Sequence, residues 1–427
     1  MPGTGPNETL RALMAQHGFS HNGLADAICT TSQWITAKPV SCTGRQIRRL
    51  LSGEIAWPGE AYRAALEEVF GVPSEKMGFV PSAGYRSRVR AKSPQTPPGQ
   101  QEQPVQRRQF IVSFGSLIAL PSLPESGRLG MNDIVRIREA EGRLMRLDRQ
   151  YGGSTHLVDV AGRYIAHVEE AMRRCTYGEK VQTQLHQALG EMYAQAGWLA
   201  YDSSQHDQAR RMWDTGLRYA FLAHDTVLQA RIWASLSRQA VDLGHGTEAV
   251  FLARTALDAT RNNRPSRLSV LLHSRVALGH SVQGERGRCG QSLHRAEQQL
   301  DRAVEQQAPP WLAFCGPDEL AGLAALCFHH LGDHPEAVQA SRESLELTDA
   351  DDFQRNAFAT HVGLARDLLA AGEADGALEA GMQALGPLPE VTSPRWGAQL
   401  AQVHKDLLDR VPKQARDFSE RYREVTT

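Results

Sequence analysis

The stretch Thr43-Gly44-Arg45-Gln46-Ile47-Arg48-Arg49-Leu50-Leu51-Ser52-Gly53 gathers the side chains best suited to meeting a charged partner. The spacing predicts one short helix with Ile47, Leu50 and Leu51 on its buried side and Arg45, Gln46, Arg48 and Arg49 facing outward; Gly53 is its stop. Arginine can bond a guanine edge bidentately and glutamine an adenine edge, so such a face can both grip phosphate and read bases in a major groove. A merely solvated basic face has the same composition. The elements around it must decide between the two.

Two other strings imitate chemistry. Cys327-Phe328-His329-His330-Leu331-Gly332-Asp333-His334 sets His330 and His334 four apart near an aspartate, which is metal-ligand spacing, but Gly332 reads as a turn that breaks the helix between the imidazoles. No metal is expected there. Gly244-His245-Gly246-Thr247-Glu248-Ala249 matches a GxGxxA dinucleotide loop by letters, yet no strand precedes it. GxSxG, HExxH and the phosphate-loop string GxxxxGK(S/T) do not occur. The expectation is a protein without cofactor that is not an enzyme.

A chain of 427 residues has room for about three ordinary domains, or for one small domain followed by a repeat array. A hydrophobic content of 41% with 22% charged residues is that of a globular chain, and no stretch approaches the roughly 18 apolar residues of a membrane span. The net charge of -1 hides an asymmetry: residues 1–108 hold 13 Lys+Arg against 8 Asp+Glu, net +5, which leaves 34 against 40, net -6, for the remainder. The basic end is the one that carries Arg45, Arg48 and Arg49, as a small module binding an acidic partner requires. Cys29, Cys42, Cys175, Cys289, Cys315 and Cys327 form no CxxC pair. Without a secretory leader they read as reduced thiols in the cytoplasm.

Around the basic helix, Asn7 to Gly18 carries Leu10, Leu13 and Met14 at helical spacing, and Ser20 caps a second helix through Ile28 with Leu24, Ala27 and Ile28 as its apolar stripe. A polar interval from Cys29 to Cys42, containing Trp34 and Pro39, reads as an insertion before the basic helix. Pro58 then starts a helix with Tyr62, Leu66, Val69 and Phe70, and Val72 to Phe79 reads as a last short one. This succession resembles the lambda-repressor-like (XRE-type) helix-turn-helix domain over roughly residues 7–80. The resemblance implies that Thr43, Arg45, Gln46, Arg48, Arg49 and Ser52 lie along a recognition helix on double-stranded DNA, with Ser20, His21 and Asn22 at a helix amino terminus facing phosphate.

Residues 81–109 are rich in Pro, Gln, Ser and Arg and read as a tether, with Arg86, Arg88, Arg90 and Lys92 as a basic arm. Phe110 to Pro121, introduced by Arg107-Arg108, is apolar and reads as a peg for the carboxy-terminal region or for a second subunit. The expected division is therefore 1–80, a connector 81–130, and a helical remainder 131–427.

In that remainder a pattern recurs from Gln182. Turn glycines are expected at Gly197, Gly244, Gly287, Gly332 and Gly372, and a small residue opens each second helix at Ala209, Ala249, Cys289, Ala337 and Ala377, in steps of 40, 40, 48 and 40. With Leu189-Gly190, Tyr193 and Gly197 in the first unit, this resembles tetratricopeptide (TPR) repeats over about residues 182–389, a helical solenoid with a concave groove. Tyr193, Trp198 and Tyr201, with Arg210, Arg231 and Arg238, are the ligand candidates for that groove; aromatics at helical spacing also serve as core.

The fold expected is thus all-α: a small lambda-repressor-like bundle, then a TPR-like α-solenoid. This plan, together with Leu144 to Gly153 and Gly197 to Asp202, resembles actinobacterial cytoplasmic regulators, and also peptide-responsive repressors of Gram-positive bacteria. The resemblance implies a homodimeric transcriptional regulator whose array binds a peptide, protein or small ligand. The alternative is a TPR scaffold that joins proteins without specific DNA binding.

Overall fold

The computed structural model describes residues 6–16, 19–35, 40–70, 72–80, 120–303, 309–348, 353–386, 391 and 393–426. Among these the regular structure is helical, apart from one bridge between Arg128 and Thr176. The chain divides into two compact units, Met1–Ser122 and Leu123–Thr427.

In the first unit, α1 (Glu8–Gln16), α2 (His21–Ile35), α3 (Gly44–Leu51) and α4 (Glu60–Phe70) are followed by a 3-10 turn, Ser74–Met77. Leu10, Leu24, Ile28, Ile47, Leu66 and Met77 are all fully buried in one shared core. Asn7 joins two elements: its side-chain oxygen accepts from Leu10 N at 2.9 Å, capping α1, while its own N–H donates to Leu51 O at 2.8 Å. The end of α3 is thereby fixed to the start of α1.

The expected insertion from Cys29 to Cys42 is not an irregular loop throughout. Helix α2 continues to Ile35, two turns beyond the predicted end at Ile28. Ser32, buried, donates through its hydroxyl to Cys29 O and accepts from Val40 N at 2.9 Å, and Cys29 Sγ accepts from Cys42 N at 2.9 Å. These bonds satisfy the backbone where the chain turns back, and they explain why polar residues continue the helix.

The second unit contains α5 (Met131–Tyr151), α6 (Thr155–Arg174), α7 (Glu179–Asp202), α8 (His206–Leu222), α9 (Thr226–Asp242), α10 (Gly246–Ala259), α11 (Ser266–Val282), α12 (Arg286–Ala303), α13 (Pro317–Leu331), α14 (His334–Leu347), α15 (Gln354–Ala370), α16 (Ala374–Leu385), α17 (Pro394–Arg410) and α18 (Arg416–Thr426). Residues 123–130, read from the sequence as connector, fold with it: Leu129 is buried and its N–H donates to Thr176 O at 3.0 Å. The tether 81–109 and most of the apolar segment, 110–119, lie outside the described residues.

Helices pair as hairpins closed by one repeated turn. The positive-φ residues Ser204, Gly244, Gly284, Gly332 and Gly372 succeed one another by 40, 40, 48 and 40 positions. At each, the next residue's N–H reaches back five positions to a helical carbonyl, as in Gln205 to Ala200, His245 to Ala240 and Glu373 to Leu368, the pattern of a Schellman cap. Two of the predicted turn glycines are therefore misplaced. Gly197 lies inside α7, where a Cβ would strike the Trp213 indole, and Gly287 lies in the first turn of α12, where the turn proper uses Gly284. Ala209, Ala249, Cys289, Ala337 and Ala377, each five positions after a turn, are at most 1% exposed. Small side chains at these crossings let successive hairpins approach closely.

Candidate functional site

Helix α3 begins with Thr43 as its N-cap. Gln46 reaches back to it, its Oε1 accepting from Thr43 N at 2.8 Å, and Gln46 Nε2 donates to the Tyr62 hydroxyl at 2.9 Å. This corrects the reading of Gln46 as a free base-reading amide: it is half-buried and committed to holding α3 against α4. Arg49 is likewise engaged, its Nε donating to Glu54 Oε1 at 2.8 Å, and that hydrogen bond raises its pKa. Arg45 and Arg48 are exposed and have no hydrogen bond or ion pair to a described residue.

Ser20 caps α2 as predicted, its hydroxyl accepting from Gly23 N at 3.0 Å, and His21 and Asn22 are exposed beside it. The amino ends of α2 and α3 meet closely: a Cβ on Gly44 would collide with the Asn22 amide. Two helix amino termini thus meet, with Arg45 in the first turn of α3 and Arg48 one turn further along, an arrangement suited to phosphate. Ser52 closes the far end of α3, its hydroxyl donating to Arg49 O at 3.1 Å.

No protein-family model matches the chain, and no curated protein matches it significantly.

The second unit has its polar centre at Asp202, the last residue of α7, which is 0% exposed. Its carboxylate accepts from Gly153 N at 2.8 Å, from Arg355 of α15 at 2.5 Å and from Arg395 of α17 at 3.3 Å. Arg395 continues to Asp242 Oδ2 at 3.0 Å; Asp242 also takes the Tyr201 hydroxyl at 2.5 Å and pairs with Arg238 at 3.2 Å. Burial opposes ionisation of Asp202, but Arg355 and Arg395 outweigh it and hold the carboxyl at about 2. The network ties the first hairpin of the array to its fifth and sixth. A cavity lies beside this network.

That cavity, of about 110 Å³ and open to solvent, is lined by Met145 and Asp148 of α5, Trp198 of α7, Arg231 of α9, Arg275 of α11, Glu319 of α13 and Arg355 of α15, with Trp311, Phe314 and Phe353 from the connections. An adjoining cavity shares Trp198, Arg275, Glu319 and Arg355 and adds Arg238, Arg366 and Arg395. Burial pushes both Asp148 and Glu319 up to about 6.

Of the six predicted ligand residues, Trp198, Arg231 and Arg238 line these cavities. The other three do not. Tyr201 is fully buried inside the network, Tyr193 stacks on Tyr219 at 5.7 Å and donates to Glu169, and Arg210 pairs with Glu248 at 2.6 Å in solvent. Even Arg231 is committed, to Glu141 at 2.8 Å and Gln195 at 3.1 Å. The sequence reading missed Asp148, Arg275, Glu319, Arg355 and Arg395, which stand on different helices far apart in the chain. It also missed Trp311 and Phe314, although a signal existed: they lie in the extra eight residues of the 48-residue step.

The histidine string is arranged differently from its spacing. His329 and His334, rather than His330 and His334, converge on Asp367, through Nδ1 at 2.6 and 3.3 Å. The three ligand atoms lie within 4.8 Å of one another, but Arg366 also meets Asp367 at 3.0 Å. A neighbouring guanidinium opposes a bound cation. The group reads as a buried carboxylate satisfied by its donors.

Proposed function

We propose that the protein is a sequence-specific DNA-binding regulator in which the first unit is a lambda-repressor-like helix-turn-helix and α3 its recognition helix. The carrying observation is the division of α3: Ile47, Leu50 and Leu51 are sealed in the core while Arg45 and Arg48 stand exposed and unpaired on its other side, and the amino ends of α2 and α3 meet. Phosphate contacts come from the helix ends and Thr43, and base contacts from Arg45 and Arg48. The TPR-like array is the controlling unit, which binds a ligand or a second copy of the chain. Phe221, Leu222 and Phe251, more than half exposed, are consistent with the latter.

The test is binding to fragments of genomic DNA, selected and then measured by gel shift across a salt series. Wild type should select one sequence class with affinity falling as salt rises, and Arg45→Ala with Arg48→Ala should abolish the shift. Retained shifts in the double variant would sink the assignment.

A further inference from the structure

We propose that the inner cavity of the array binds a small planar organic carboxylate, gripped by Arg275 between walls formed by Trp198, Trp311, Phe314 and Phe353. This rests on the reading of the array as a ligand-binding unit and specifies the chemical class of the ligand.

Arg275 is the observation that carries it. The side chain is 4% exposed, its Nε and Nη1 are sealed from solvent, and neither has a hydrogen-bond partner. The other arginines that line the two cavities are all engaged. Arg355 and Arg395 hold Asp202, Arg238 pairs with Asp242, Arg231 with Glu141 and Arg366 with Asp367, and Arg149 donates to Pro310 O. Arg275 has no ion pair within 4.0 Å among the described residues. A buried guanidinium without a counter-ion is costly, so an unfilled one facing a cavity is a site with its ligand group missing. Burial, reinforced by the nearby Arg238, lowers its pKa. Glu319 is the carboxyl whose charge favours Arg275, but the two form no ion pair within 4.0 Å.

The class of ligand follows from what the walls leave open. A guanidinium that lines the cavity matches a carboxylate oxygen through a charge-assisted hydrogen bond. A cationic ligand would need the aromatic faces, but Arg231 already covers Trp311 at 5.2 Å, Arg355 covers Trp198 at 5.5 Å and Arg149 covers Phe353 at 5.7 Å. A flat apolar body with one carboxylate fits a wall that combines four aromatic rings with one unfilled guanidinium.

Calorimetric titration of the full chain with 1-naphthoate and its uncharged analogue 1-naphthamide tests this. Naphthoate should saturate one site per chain and bind roughly tenfold or more tightly than the amide, an advantage that Arg275→Met should erase and Arg275→Lys partly restore. Arg275→Met should also melt no lower than wild type, because it removes an unpaired buried charge. Equal affinities for acid and amide, absence of saturable naphthoate binding, or a markedly lower melting temperature in Arg275→Met would each overturn the proposal. So would displacement of naphthoate by a decapeptide equally well with a free or an amidated carboxy terminus. Gel shifts on the same samples report on α3 separately, so either reading can fail alone.

Discussion

Arginine serves opposite purposes in the two units. On α3, Arg45 and Arg48 stand in water, where an unpaired charge costs little and a partner can reach it. In the array, Arg355 and Arg395 are each 8% exposed and spend their donors on Asp202. There an unpaired charge would be expensive, so the guanidinium is committed to the fold. Arg275 combines the two conditions, buried like the second group and unpaired like the first. Exposure and pairing together, rather than residue type, separate a binding arginine from a structural one.

That contrast can be broken most directly at Asp202. Asp202→Ala strands the buried Arg355 and leaves Arg395 with Asp242 alone, and the second unit should lose about 3–5 kcal/mol in urea denaturation. A loss below about 1 kcal/mol would mean that the network does not hold α7 to α15 and α17. The reverse profile is expected for Arg45→Ala with Arg48→Ala. Stability should stay within about 0.5 kcal/mol, while the logarithmic salt slope of DNA binding falls by about 2.

Acid should act on one region of the array and spare the other. Asp202 has a lowered pKa of about 2, so its stabilisation is present above the ordinary aspartate pKa and is lost as pH falls through about 2. Asp148 and Glu319 are raised to about 6, so what they contribute is present at low pH and is lost as pH rises through about 6. Thermal stability of the second unit should therefore peak between these limits, and Asp202→Asn should remove the acid limb, worth about 2 kcal/mol, while leaving the upper one. The smallest effect is expected at Gln46. Gln46→Ala breaks the reciprocal cap of α3 and should cost the first unit about 1 kcal/mol in denaturant melts. A larger loss of DNA affinity than of stability would return Gln46 to the binding face.

Local pattern made much of the molecule legible. The apolar side of α3 at Ile47, Leu50 and Leu51, the cap at Ser20, and the small residues from Ala209 to Ala377 follow from helix periodicity, because one face of a helix must be apolar and a close crossing must be small. The extent of α2 was hidden, since it depends on Ser32 and Cys29 bonding to a returning chain that periodicity does not register. Gly197 and Gly287 were misread for a related reason: a glycine can serve a turn or a close approach, and only the neighbour distinguishes them. Trp213 lies against Gly197, and Gly284 takes the positive φ that Gly287 was assigned.

What the sequence determined by itself is the helical class, the basic amino-terminal face and the forty-residue period, all set by contacts between near neighbours in the chain. Tertiary structure alone decided that Gly153, Asp202, Arg355 and Arg395 meet, that helices distant in the chain line one cavity, and that Arg275 is left there without a partner. Such pairings join residues separated by up to 193 positions, and no local spacing encodes which charge a distant helix will bring.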